Sequence, residues 1–213
     1  VLLAPRDKSI QENGTVREGV ETLRAGWTPD PIESETLPLS QLLELHKEHP
    51  NISMRLMNIS TAKGLSMLAK SQTKPITSVC WWHLVQDSSL LSKNDIGWRV
   101  VPSIGGPKDR KALIQGLKEK TISAVAVHGI PLNEEDIKQP PEKRLPGISG
   151  YELVLPSLWQ ELIVKSDWTI EQLWEALSFG PSKMLDTNEE KLTIDGRRWI
   201  LFDPTKKWEK TIN

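Results

Sequence analysis

The sequence predicts an α/β fold built on a parallel sheet, and three observations carry that prediction. Short β-branched or apolar runs alternate with longer segments of helical spacing along most of the 213 residues. Such alternation implies parallel strands joined by helical crossovers. No internal repeat or low-complexity stretch interrupts it. Only about four core strands are legible, half of the eight in a complete (β/α)8 barrel of ~250 residues.

The elements follow in order. Val1–Ala4 is a short apolar run ended by Pro5 and reads as a strand. Val16, Val20 and Leu23 have helical spacing, with Gly26 as a stop, so a helix is expected over 16–25. Thr28-Pro29-Asp30-Pro31 reads as a loop. Leu37, Leu42, Leu43 and Leu45 mark one face of a second helix, with Pro50 past its end. Ser53–Met57 reads as a strand and Thr61–Lys70 as a helix with Leu65, Leu68 and Ala69 inward. Ile76–Cys80 is the next strand, running into Trp81-Trp82-His83; 87–94 is a polar loop and 98–101 extended. Pro107 at a first helical turn, where N–H groups lack partners anyway, starts a helix to Lys118. Ile122–Val127 is strand-like, 131–146 a long polar loop, and Tyr151–Val164 and Thr169–Leu177 are helices. Ser182–Leu185 forms a further turn, and 198–203 reads as a strand leading to Pro204. The expected organisation is a half-barrel over residues 1–180 and a C-terminal extension over 181–213.

Composition narrows the function. Hydrophobic residues make up 38% and charged residues 26%, a globular balance. Net charge is −1, which gives no electrostatic reason to expect nucleic acid or an anionic membrane as partner. Near-neutrality also argues against base stacking on Trp81-Trp82. No apolar run approaches the ~20 residues of a membrane span. The single cysteine, Cys80, allows no internal disulfide and no Cys/His zinc spacing, which fits a reducing compartment and suggests the cytosol. Glu33, Glu35, Asp95, Glu134, Glu135 and Asp136 fall in loops or helix starts, where acidic residues favour helix N-termini and solvation. The start at Val1, not Met, favours a processed chain or a fragment of a longer product, and nine tryptophans stand against one tyrosine and two phenylalanines.

Four segments resemble the dihydroorotases, barrel-type cyclic amidohydrolases. Asn58-Ile59-Ser60-Thr61-Ala62 is similar to the family's His-(Val/Ile)-Ser-Thr-Ala, and Val79-Cys80-Trp81-Trp82-His83-Leu84 stands where the family has Val-Thr-Pro-His-His-Leu. Arg99-Val100-Val101-Pro102-Ser103-Ile104-Gly105, followed by Asp109-Arg110-Lys111-Ala112-Leu113-Ile114, resembles Arg-Val-Asn-Pro-Pro-Leu-Arg and the helix after it. Val125-Ala126-Val127-His128-Gly129-Ile130-Pro131 is similar to Ile-Ala-Thr-Asp-His-Ala-Pro. Gly147-Ile148-Ser149-Gly150-Tyr151-Glu152 and Leu201-Phe202-Asp203-Pro204 add to the match, the latter resembling a strand of the small β subdomain that flanks such barrels. The resemblance spans nearly the whole chain and implies the C-terminal half of an amidohydrolase-type (β/α)8 barrel with a remnant of that subdomain.

The resemblance implies reversible hydrolysis of dihydroorotate to carbamoyl aspartate in pyrimidine biosynthesis. In the family zinc acidifies a bound water and polarises the amide carbonyl, and a carboxylate at the last barrel strand moves the proton. Those positions are altered here. Asn58 and Trp82 occupy histidine slots, and an indole N–H only donates. His83 is a neighbouring histidine that a shifted register would bring in as a ligand; otherwise it is a structural histidine. His128 occupies the aspartate slot, where an imidazole serves either as base or ligand or as a hydrogen-bonded strand-end residue. Gly129 replaces a histidine, Gly105 an arginine expected on the substrate carboxylate, and Val101 an asparagine expected on substrate. The expectation is a dihydroorotase-like chain that binds no zinc, has lost catalysis and persists as a structural or regulatory partner. Related non-catalytic chains imply aspartate transcarbamoylase as partner, or self-association. The alternatives are an amidohydrolase with altered ligands, using His83 and His128, and an incomplete fragment.

Overall fold

A computed structural model describes residues 1–92, 99–130, 133–140, 143–148, 150–189, 191, 193–194, 196 and 200–207. Four parallel strands form the main sheet: β1 (Leu2–Leu3), β4 (Arg55–Leu56), β5 (Ile76–Cys80) and β6 (Ala124–Ala126), in the order β1-β4-β5-β6. Leu3 lies in register with Leu56, Leu56 with Thr77, and Val79 with Val125. β5 is central and nearly wholly buried, which suits its Ile-Thr-Ser-Val-Cys run of β-branched and small residues. α4 (Ala62–Lys70) crosses from β4 to β5, and α6 (Pro107–Lys118) precedes β6. The architecture is thus a partial (β/α)8 barrel.

Two helix starts show how local sequence builds it. The Thr61 hydroxyl accepts from Gly64 N at 2.9 Å and caps α4. Asp109 reaches back to Gly106 N at 3.0 Å in the first turn of α6, and its second oxygen accepts from Ala62 N at 2.8 Å. One carboxylate therefore serves two helix N-termini. Leu39, Leu56, Ile59, Val79, Trp81 and Leu113 fill the core between sheet and helices.

The structure corrects several expectations. Residues 16–25 are not one helix: β2 (Val16–Arg17) pairs in parallel with β3 (Pro29–Asp30), and only Val20–Ala25 forms a helix, α2. Arg17 N donates to Ile104 O at 2.9 Å, a long-range bond that overrides the local helical spacing. The expected loop at 28–31 therefore contains a strand, with Pro29 at its first position, where a missing N–H costs least. α3 (Glu33–Glu48) buries Ser34, Glu35, Thr36, Leu39 and His46, while Leu37 and Leu45 are 50% and 43% exposed. Of the expected leucine stripe, Leu42 and Leu43 pack against the core and Leu37 and Leu45 do not. The loop at 131–146 contains a helix, α7 (Glu134–Lys138), capped by Asn133. α5 is the single turn Trp82–Val85. α8 (Tyr151–Leu158) continues in π-helical form over Trp159–Val164, α9 (Ile170–Trp174) over Glu175–Phe179, and α10 (Gly180–Leu185) follows.

Of the strand expected at 198–203, residues 198 and 199 lie outside the described residues, and 200–203 are not a strand. Phe202 instead packs edge-on against Trp159 at 5.3 Å between ring centroids. A side-chain contact, not a ladder, holds this part of the tail. Among the described residues no helix is long and apolar enough to cross a membrane.

Candidate functional site

Parallel strands deliver the residues that follow them to one rim, the C-terminal end of the sheet, where barrel enzymes build their sites. Asn58 follows β4, Trp81 and Trp82 follow β5, and His128 follows β6. Asn58 takes a left-handed backbone conformation (φ 59°), which asparagine tolerates better than most residues. Ile59 N then donates to Ser78 O at 2.9 Å, so the chain turns without losing β5.

The rim brings Asn58 and His128 together across the end of β5. His128 Nε2 lies 2.9 Å from Asn58 Nδ2 and 3.0 Å from Oδ1. One imidazole tautomer donates to the amide oxygen, and the other accepts from the amide nitrogen. Partial burial holds the His128 pKa below the ordinary 6.5, which favours the neutral ring.

The remaining positions are occupied in other ways. Tyr151 fills the space beside Gly129: its hydroxyl donates to Gly129 O at 3.1 Å, and a Cβ on residue 129 would meet the ring at 2.4 Å. Asp109 fills the space beside Gly105, where a Cβ would lie 2.6 Å from Asp109 Oδ2. Val101 is half-buried, and the Val101–Pro102 peptide is cis.

Trp82 is half-buried against the core and edge-on to Trp81 at 5.2 Å. His83 is buried, with Nε2 3.1 Å from Pro102 O. The carbonyl can only accept, so Nε2 carries the proton. Burial pushes the His83 pKa down to about 4.

Sequence reasoning missed a buried charged cluster below this rim. Arg17 Nη1 lies 3.2 Å from Asp30 Oδ1, and Nη2 lies 3.7 Å from Glu35 Oε2. Arg17 also donates to Ser34 Oγ at 2.6 Å and to Ser60 Oγ at 3.1 Å. Glu35 accepts from the backbone N–H and the hydroxyl of both Ser60 and Thr61, at 2.5–3.2 Å. It therefore serves the N-terminus of α4 from another helix and is not solvated. Gly64 is the one sequence signal: a Cβ there would sit 2.3 Å from Glu35 Oε1.

Zinc needs about four imidazole, thiolate or carboxylate donors. Among the described residues no three His, Cys, Asp or Glu side chains are grouped to hold a metal. Among the described residues Asn58 and His128 are joined through the amide and one imidazole nitrogen, Nε2.

A probable dihydroorotase-like protein of Synechocystis sp. is 38% identical over 219 residues, covering 98% of this chain and 48% of its own. Over nearly its whole length the chain is similar to dihydroorotase-like proteins. A dihydroorotase of Listeria welshimeri is 26% identical, over 97% of this chain and 51% of its own. No protein-family model matches. Among solved structures, an L-hydantoinase (dihydropyrimidinase) from Arthrobacter aurescens superposes with a TM-score of 0.73 at 16% identity, over 87% of this chain and 43% of that one. Saccharomyces cerevisiae dihydroorotase with 5-fluoroorotic acid gives 0.66 at 16%, over 88% and 50%. These two agree in fold with a partial amidohydrolase barrel. The chain spans about half the length of the curated relatives it matches, which fits the C-terminal half of a dihydroorotase-like chain. The family is metal-dependent.

Proposed function

We propose that this is a dihydroorotase-like protein that no longer hydrolyses the cyclic amide by the family's metal route and serves as a structural or regulatory partner. The observation that carries the reading is the Asn58–His128 hydrogen bond. It joins a metal slot to the proton-transfer slot, and neither residue is a carboxylate. Tyr151 beside Gly129 and Asp109 beside Gly105 support it, since each occupies space the family's larger residue would need.

For the partner we propose self-association or aspartate transcarbamoylase.

The test uses the product of the complete gene: metal content by elemental analysis, and dihydroorotate turnover for the wild type and His128→Ala. The reading expects no stoichiometric metal and no turnover that His128 controls. One or two ions per chain with His128-dependent turnover would overturn it. That outcome would establish the second reading, an amidohydrolase with altered ligands, which draws its support from the exposed imidazole of His128 being held neutral at the rim.

A further inference from the structure

Arg6 stands three residues past the end of β1, on the same rim as Asn58. β1 and β4 are adjacent and in register, and Met57 N donates to Leu3 O at 2.8 Å, so the two residues leave neighbouring strands at similar height. The Arg6 side chain is half-buried, and that desolvation lowers its pKa.

Its guanidinium is held from one side only. Nε donates to Gln11 Oε1 at 2.7 Å, and Nη2 donates to the same oxygen. Gln11 is fixed in turn: it is buried, and its Nε2 donates to Gly14 O at 3.2 Å and Ser103 Oγ at 3.1 Å. Two of the five guanidinium N–H groups are thereby committed, which leaves the Nη1 edge open.

The carboxylates around Arg6 are engaged elsewhere. Asp30 acts on it through charge but lies within ion-pair distance of Arg17 and accepts from Ser34 Oγ at 2.6 Å. Asp7 Oδ1 accepts from Ser9 N at 2.8 Å and Ser9 Oγ at 2.6 Å at the start of the single-turn helix α1 (Lys8–Gln11). No ion pair joins Arg6 to a carboxylate among the described residues. A partly desolvated guanidinium with a fixed orientation and an open donor edge is the arrangement that recognises planar oxyanions.

We infer that Arg6, oriented by Gln11 and Ser103, is the anchor of a binding site for a small oxyanion, a carboxylate or a phosphate, at the rim. The inference goes beyond the proposed loss of catalysis and does not depend on it, since binding here needs neither metal nor turnover. Gln11 is a positioning residue, and Ser103 belongs to the loop that follows Val101.

The test is calorimetric titration of the complete gene product at low ionic strength, with sodium succinate in one series and sodium phosphate in the other. Wild type, Arg6→Gln and Arg6→Lys are compared, with melting curves as folding controls. Saturable one-to-one binding of one probe is expected, weakened about tenfold or more by Arg6→Gln. Arg6→Lys, which keeps the charge but loses the fork, should fall between and remains informative if Arg6→Gln fails to fold. The preferred series tells carboxylate from phosphate. Binding of neither probe to the wild type, or equal binding by folded wild type and either variant, would overturn the inference. Neither result bears on metal content or dihydroorotate turnover, so the two readings fail separately.

Discussion

Asn58 and His128, 70 residues apart in the chain, meet at 2.9 Å over the end of β5. In that position the amide gives the imidazole no charge to lean on, and partial burial favours the neutral ring. Replacing Asn58 with Asp puts a carboxylate beside the ring without adding bulk. The His128 pKa should then rise by about one unit or more, because a nearby negative charge favours the imidazolium. Proton NMR titration of the ring measures this directly; an unchanged midpoint would mean the two side chains are not in contact in solution.

His83 predicts how the fold responds to acid. Its folded pKa is depressed to about 4, against an ordinary value of 6.5. The folded state therefore prefers the neutral ring. That contribution is fully present above about pH 6.5 and is lost as pH falls towards 4, on the order of 3 kcal/mol in total. Urea denaturation at stepped pH should show wild-type stability falling faster across this window than that of His83→Gln, which cannot titrate. Parallel curves would assign the acid sensitivity to other groups.

The cluster under the rim makes a larger prediction. Glu35→Ala would strip the acceptor from Ser60 and Thr61 and leave Arg17 with Asp30 alone. Breaking a buried pair in this way costs about 3–5 kcal/mol. The expected readout is a large drop in the urea midpoint, with Glu35→Gln less severe because the amide still accepts. A change within about 0.5 kcal/mol for Glu35→Ala, the range of ordinary surface sites, would show that the network is not formed.

Gly180 and Gly19 form a matched test of packing. A Cβ on Gly180 would sit 1.8 Å from Ser123 O, a backbone atom that cannot swing aside, whereas one on Gly19 meets only Glu21 Oε2 at 3.7 Å. Gly180→Ala should destabilise by roughly 1–3 kcal/mol or more, as overpacking does, and Gly19→Ala should stay within about 0.5 kcal/mol. Thermal melts of both variants check this; similar losses would mean that Gly180 does not lie against Ser123 O.

Much of the framework was legible because its signals are local. β5 was read to the residue from one β-branched run, and α6 from Pro107 at its first turn. Two-residue strands such as β2 and β3 carry no such signal, and the pairing that defines them joins residues 13 apart, Val16 with Pro29 and Arg17 with Asp30. α3 misled for a related reason. Its leucines divide between the core and solvent, with Leu37 and Leu45 exposed, and the polar Glu35 is buried because Ser60 and Thr61 come to meet it.

The candidate site divides in the same way. The amino-acid sequence by itself determined which residue types stand at the ends of β4, β5 and β6: an amide at Asn58, indoles at Trp81 and Trp82, and an imidazole at His128. It could not say that Asn58 would bond His128, that Tyr151 would lie beside Gly129, or that Arg6 would be oriented by Gln11. Those are contacts between segments brought together by parallel strands, whose shared direction carries distant residues to one rim. Residue chemistry is local and can be read along the chain; distance and burial belong to the packed sheet, and only the tertiary structure decided them.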